Sequence, residues 1–160
     1  MPFKTNAFEK IRQMKQTISA LKDKSVATGF FQESKSGNEI TNAEKAIKNN
    51  FGIGVPKRPF WTTTKDNEQK KHANAIAKDS IKAVLTSNAS IAINAMEREG
   101  EQYKKEFRQA IIDWSVPSNS SATIQAKGFN DPLVDTGEMR DSVDSKIVKI
   151  VGTSNGDSLW

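Results

Sequence analysis

Two β-favouring stretches lie near opposite ends of the chain, at residues 25–33 and 142–151, and no central strand is legible between them. A strand's backbone groups need partners. The two are therefore expected to pair with each other, antiparallel, closing both ends of the chain on one small sheet. In the first, Val26, Thr28 and Phe30 share one face and Ala27, Gly29 and Phe31 the other. Both faces carry apolar weight, and Gly29 marks a candidate bulge. In the second, Val143 and Ile147 share a face, with Val148 and Ile150 near the end. The fold class expected is α+β: a small, mostly antiparallel sheet packed by an N-terminal helix and two longer amphipathic helices, with long interface loops. One domain is expected over 1–152. Residues 153–160, ending in Leu159-Trp160, read as a flexible or partner-docking tail.

The helices follow from apolar residues at three- and four-residue steps. Over 1–24 the stripe is Phe8, Ile11, Met14, Ile18 and Leu21, with Asn6 as cap and Glu9 reaching back to it. A sheet face is the expected cover. Over 40–51, Thr41 or Asn42 caps, Ala43, Ala46 and Ile47 form the apolar face, and Gly52 ends the helix after a turn at 34–38. Over 66–85, Asp66 with Gln69 offers a capping start, Thr64 being a rival. Its stripe is Ala73, Ile76, Ala77, Ile81, Val84 and Leu85. A last long helix, 89–114, carries Ala92, Ala95 or Met96, Tyr103, Phe107, Ala110, Ile111 and Trp114. Gly100 falls inside it at a cost of roughly 1 kcal/mol against alanine. Glu97, Glu99, Glu101 and Glu106 read as a solvated face paired with Arg98, Lys104 and Lys105. His72 reads as a surface or boundary residue.

Two connections carry the remaining signal. Residues 53–64 hold Val55-Pro56-Lys57-Arg58-Pro59-Phe60-Trp61, which reads as rigid and extended because the prolines fix φ and remove donors. Residues 116–135 form a long loop in which Ser120 or Ser121 caps one turn and Gly128 ends it. Ile124, Phe129 and Leu133 are the expected pins. Asp135 or Thr136 then accepts backbone N–H bonds, and 137–141 makes about one helical turn before the closing strand.

At 160 residues, 36% apolar and 27% charged, the core is small, and completion by neighbouring subunits fits as well as a monomer does. Net charge is +5 and the pI 9.4, but the cations are dispersed among acids. This disfavours specific DNA recognition while allowing passive proximity to DNA. There are no cysteines, hence no disulfides, thiolate metal sites or cysteine nucleophiles. The single histidine cannot build a usual zinc site with its sequence neighbours. No apolar run is long enough to span a bilayer, and no signal-peptide core is present. The expectation is no catalytic, cofactor or metal site, no cofactor, no enzyme activity and no membrane partner. A basic nucleic-acid-binding accessory protein is the alternative.

One segment bears a family resemblance. "KGFNDPLVDTGEMRDSV" (127–143) resembles the "KG…PLIDTG.M..SV" segment of tail-completion and head–tail joining proteins of tailed bacteriophages. Residues 55–61 are similar to that family's "IPPRPF", and 121–127 to its "SPATIKAKG". Phe51-Gly52 stands where the family has Glu-Phe-Gly, but Asn50 replaces the glutamate, so any role of that carboxylate is not carried over. The resemblance implies a structural virion subunit of the neck, made in the host cytoplasm and resident at the head–tail junction. Its partners would be itself, as a ring of six by family analogy, and the connector, neck and tail-tube or terminator proteins. The interface residues implied are Pro56, Arg58, Pro59, Phe60, Leu133, Asp135, Thr136 and Gly137.

Overall fold

The computed structural model describes residues 3–31 and 40–150. The turn expected at 34–38 and the tail at 153–160 lie outside them. The architecture is α+β. Helix α1 (Phe3–Leu21) leads into strand β1 (Lys24–Phe30). Helices α2 (Asn42–Phe51), α3 (Phe60–Thr86) and α4 (Ala89–Asp113) follow, then two short helices, α5 (Ser121–Lys127) and α6 (Glu138–Asp141). Strand β2 (Val143–Lys149) completes the order.

β1 and β2 pair antiparallel, with Lys24 opposite Lys149 and Phe30 opposite Val143. The register is unbroken, so the bulge expected at Gly29 is absent. Gly29 is there for a neighbour instead: a Cβ on it would come 2.9 Å from the Trp61 ring. Thr28 and Ser145, cross-strand partners, hydrogen-bond through their hydroxyls at 3.1 Å.

α3 and α4 form an antiparallel pair joined by a tight turn. Ser87 takes a left-handed conformation to close α3, and the Asn88 side chain accepts the Ser90 N–H to open α4. α3 begins at Phe60, six residues before the expected Asp66. Pro59 lies at its entry, where a proline's missing donor and fixed φ do no harm. Its first turn is capped from a distance. The buried Asn50 of α2 accepts the Thr62 N–H at 3.1 Å and donates to the Thr62 hydroxyl at 2.9 Å. The part of 53–64 expected to be extended is thus helical from Phe60.

The core gathers Phe60, Phe107, Ile111, Leu133, Met139 and Val143 around the same end of the α3–α4 pair. An aromatic series threads it. Phe30 lies 5.7 Å from Trp61, Trp61 stacks on Phe107 at 3.9 Å, and Phe107 meets Tyr103 at 4.7 Å. Of the two expected caps of α2, Thr41 serves, in a capping box with Glu44, and the helix ends at a left-handed Gly52, as expected. α5 is capped by Ser120 and ended by Gly128, as expected.

α1 departs from expectation twice. Asn6 lies inside the helix, which starts earlier, and Glu9 pairs with Arg12 at 3.3 Å. Its stripe packs on α3 and α4, not on the sheet, and only in part. Thr17 is buried and Met14 and Leu21 half-buried, while Phe8 is 72% and Ile11 and Ile18 each 50% exposed.

Gly100 explains its own cost. It is buried where α4 crosses the sheet, and a Cβ there would lie 2.4 Å from Ser145 Oγ and 2.9 Å from Val26 Cγ1. Gly100→Ala therefore gains helix propensity and loses the close crossing. The expected net effect is destabilisation by about 1–3 kcal/mol, read as a lowered denaturation midpoint in urea. An unchanged midpoint would mean that the sheet moves aside freely.

Candidate functional site

A cavity of about 520 Å³ opens between α1, β1, α3 and α4. Its walls are mainly apolar, from Ile18, Leu21, Val26, Ile76, Val84 and Met96, and two groups of chemical interest line it, Glu99 and Tyr103. This is within the usual size of a small-molecule site.

Behind Glu99 lies the most unusual cluster in the described chain. His72 of α3 is buried at 4% exposure. Its Nδ1 stands 2.9 Å from Glu99 Oε2, and its Nε2 stands 2.7 Å from Glu106 Oε2, both carboxylates belonging to α4. The outer oxygens are also engaged. Arg98 donates to Glu99 at 2.9 Å, and Lys71 to Glu106 at 2.8 Å. Burial alone would raise both glutamates. For Glu99 the hydrogen bonds from His72 and Arg98 outweigh it, and for Glu106 those from Lys71, His72 and Gln102 do so. Both carboxyls therefore lie below their ordinary range and are ionised. An ionised carboxylate only accepts, so each contact is made by a ring N–H of His72 donating to a glutamate oxygen.

Tyr103 stands on the same face of α4, its ring 5.0 Å from that of His72. Its hydroxyl is buried and has no hydrogen-bond partner. Burial, then the charge of Glu106, pushes its pKa up to about 12, so the group keeps its proton. A buried donor without an acceptor calls for an explanation, and Tyr103 is itself among the residues that line the cavity.

Glu68, His72 and Glu106 also bring three potential ligand atoms within 4.8 Å of one another. A cation already serves that place: the Lys71 ammonium lies 2.6 Å from Glu68 and 2.8 Å from Glu106.

The reading of His72 as a surface or boundary residue and of Glu99 and Glu106 as a solvated face is thus corrected. The missed signal was their spacing. On a 3.6-residue period, positions 99, 103, 106 and 110 share one face of α4. Two carboxylates there share the stripe of Tyr103 and Ala110, where an uncompensated charge would be costly. Glu101 and Lys104 do form the expected solvated pair, at 2.7 Å.

The eight residues expected at an interface are divided. Arg58, Phe60, Leu133 and Gly137 are buried, Pro59 is half-buried, and Pro56, Asp135 and Thr136 are exposed. Phe60 and Leu133 belong to the core. Arg58 is spent inside the chain, its guanidinium donating to Pro117 O at 3.1 Å, Asn49 Oδ1 at 3.1 Å and Asn119 Oδ1 at 3.4 Å. It ties α2 to the loop after α4. Of the expected pins, Leu133 holds the loop, while Phe129 is 39% exposed. Arg58→Ala is expected to lower stability by about 1.5–3 kcal/mol, measured by urea unfolding.

Acid should loosen the α3–α4 clamp. With folded pKa values below the unfolded ones, Glu99 and Glu106 contribute stability above the ordinary glutamate range and lose it as pH falls through their folded values. The urea midpoint should fall with pH in that window. Glu99→Gln and Glu106→Gln should each flatten the fall while lowering the midpoint at neutral pH.

A family model described as tocopherol cyclase-like matches residues 15–137. No curated protein and no solved structure matches the chain. The match corrects the bacteriophage resemblance. The neck-protein function and the virion vocabulary are overturned, and the expectation of a non-enzyme gives way to an enzyme-like family. The segments that carried the resemblance are the ones whose turns this fold constrains most: Gly128 and Gly137 at positive φ, Leu133 in the core and Arg58 in its carbonyl cage. Among the described residues no helix is long and apolar enough to cross a membrane.

Proposed function

From the tocopherol cyclase-like family, to which the chain belongs by a match over more than half its length, we propose a ring-closing enzyme. Its substrate is an apolar molecule carrying a hydroxyl group and a carbon–carbon double bond, held in the cavity between α1, β1, α3 and α4. The observation that carries this reading is that Tyr103, whose buried hydroxyl has no partner, lines the same apolar cavity as Glu99, the carboxylate that meets His72.

Ring closure within one molecule needs a folded substrate and a proton moved from one atom to another. It needs no oxidant. In the reaction proposed, a proton passes from His72 through Glu99 to one alkene carbon, and the π bond breaks. The substrate hydroxyl oxygen bonds to the other carbon. Its proton returns through Glu99 to His72, and the relay ends in its starting state. Glu106, on the far ring nitrogen, holds the imidazole in place and stabilises its charge. The Tyr103 O–H donates to the substrate oxygen and fixes which end of the molecule faces Glu99. The apolar walls exclude the water that would otherwise capture the cationic carbon.

The test is conversion of a prenylated hydroquinone to its cyclic isomer, followed by chromatography at unchanged mass. Glu99→Gln is expected to lower kcat by about 10²–10⁴-fold, the range of general acid–base catalysis. Tyr103→Phe should mainly raise KM, since it removes a binding contact and leaves the relay. Failure of the unaltered protein to turn over or bind such a compound would overturn the proposal.

A further inference from the structure

The cavity between α1, β1, α3 and α4 is charged unevenly. Among its lining residues the charged ones are Lys22 and Lys24, both exposed, and Glu99. The strand register places them. β2 begins against the later half of α4, where Arg108 donates to Val143 O at 2.8 Å and Lys104 lies 3.6 Å from Asp144. At Ser145 the strand meets Gly100, and Ile147 lies beside Met96 and Glu97. Lys149 comes next on that face, directly opposite Lys24. Lys24 therefore stands past Gly100 from Tyr103, so the cavity has a cationic end and a Tyr103 end.

Nothing in the fold accounts for these lysines. Lys22, Lys24 and Lys149 have no ion-pair partner among the described residues, and Asp23, between the first two in sequence, pairs with neither. Lys24 and Lys149 share one face of the ribbon, where like charges directly opposite are destabilising. A lysine that guards a sheet edge points away from the core. Lys24 instead shares its face with Val26 and Thr28, and all three line the cavity. Cations at the exposed end of an apolar cavity complement a ligand that is apolar along its body and anionic at its tip.

We propose that the molecule held here is an anionic amphiphile, its apolar body within the cavity and its carboxylate or phosphate group on Lys22 and Lys24. The inference rests on the reading of this cavity as the substrate site, and it narrows the substrate class. A few placed polar groups fix the orientation of a ligand in an apolar site. Here the two ends differ in sign. The lysines attract the anionic tip, while ionised Glu99 and Glu106 repel it from the Tyr103 end. The ligand is thereby seated one way round, with its opposite end, the one carrying the reacting hydroxyl, toward Glu99.

The test is titration calorimetry with dodecanoate, dodecyl phosphate and dodecanol, each below its micelle concentration, with circular dichroism to verify the fold. In low salt the anions should bind about tenfold more tightly than the alcohol, the scale of one charged hydrogen bond. Added salt should narrow the gap. The difference between the two anions separates a carboxylate ligand from a phosphate. Lys22→Gln with Lys24→Gln should bring the anions to the level of the alcohol and leave the alcohol unchanged, and Lys22→Arg with Lys24→Arg should keep the gap. Ala77→Trp, which narrows the cavity from an exposed position on α3, should weaken all three ligands. Three results would overturn the proposal: anions that bind the unaltered protein no better than the alcohol, a gap that survives the glutamine variant, or anion binding that Ala77→Trp leaves intact, which would mean adsorption on surface lysines. A protein that shows the gap yet never cyclises a prenylated hydroquinone keeps this proposal and loses the ring-closing reaction.

Discussion

The clamp on His72 is the interaction on which the rest of this structure depends. A buried imidazole held between two half-buried carboxylates is costly to break, because the members that survive are left uncompensated. Here every member is satisfied. The imidazole serves one carboxylate on each nitrogen, and Arg98 and Lys71 complete the outer oxygens. A residue of α3 thereby selects two positions of α4 seven residues apart, and a slip of one helix along the other would lose both bonds. Apolar contacts between helices tolerate such slips, because Ala83, Ala92 and Ala95 offer little shape to resist them. The polar clamp sets the register and the aromatic series follows from it. Tyr103 and Phe107 then arrive opposite His72 and Trp61.

With that register fixed, the cavity is a consequence of Gly100. The missing side chain lets Val26 and Ser145 approach the α4 backbone closely. Glu99 and Tyr103, immediately before the contact and one turn beyond it, are then carried to the open side, where α1 and α3 diverge from the sheet. A larger residue at 100 would lift the sheet and change the mouth of the site. The same glycine thus serves packing and the placement of the two groups proposed to meet substrate.

Local chemistry was legible in the sequence wherever it was self-contained. Thr41 and Gly52 bound α2 without help from the rest of the chain, and Ser120 and Gly128 do the same for α5. The two β-favouring stretches could find only each other. What was not legible were the partners set by the packing of separate elements. His72 is an isolated histidine in sequence, and its two carboxylates come 27 and 34 residues later. The start of α3 was misplaced because its cap, Asn50, sits on another helix, and a scan for a neighbouring Ser, Thr or Asp cannot find it. The stripe of α1 was read correctly as apolar but wrongly as covered, since periodicity reports which side is apolar and says nothing of what lies against it.

The same distinction accounts for the family resemblance that did not hold. The stretch from Lys127 to Val143 is dense in residues that fix turns. Gly128 ends α5 and Gly137 starts α6, both at positive φ, and the Lys127 ammonium donates to the carbonyls of Asp131 and Val134 inside the loop they enclose. Each choice is forced by backbone geometry over a few residues, so unrelated chains that make the same turn arrive at similar strings. The clamp has the opposite character. Its three members are common residue types at unremarkable positions, and their meaning lies in two carboxylates of α4 being brought within 3 Å of the two ring nitrogens of one histidine of α3. Function here resides in the part of the molecule that a short segment cannot encode.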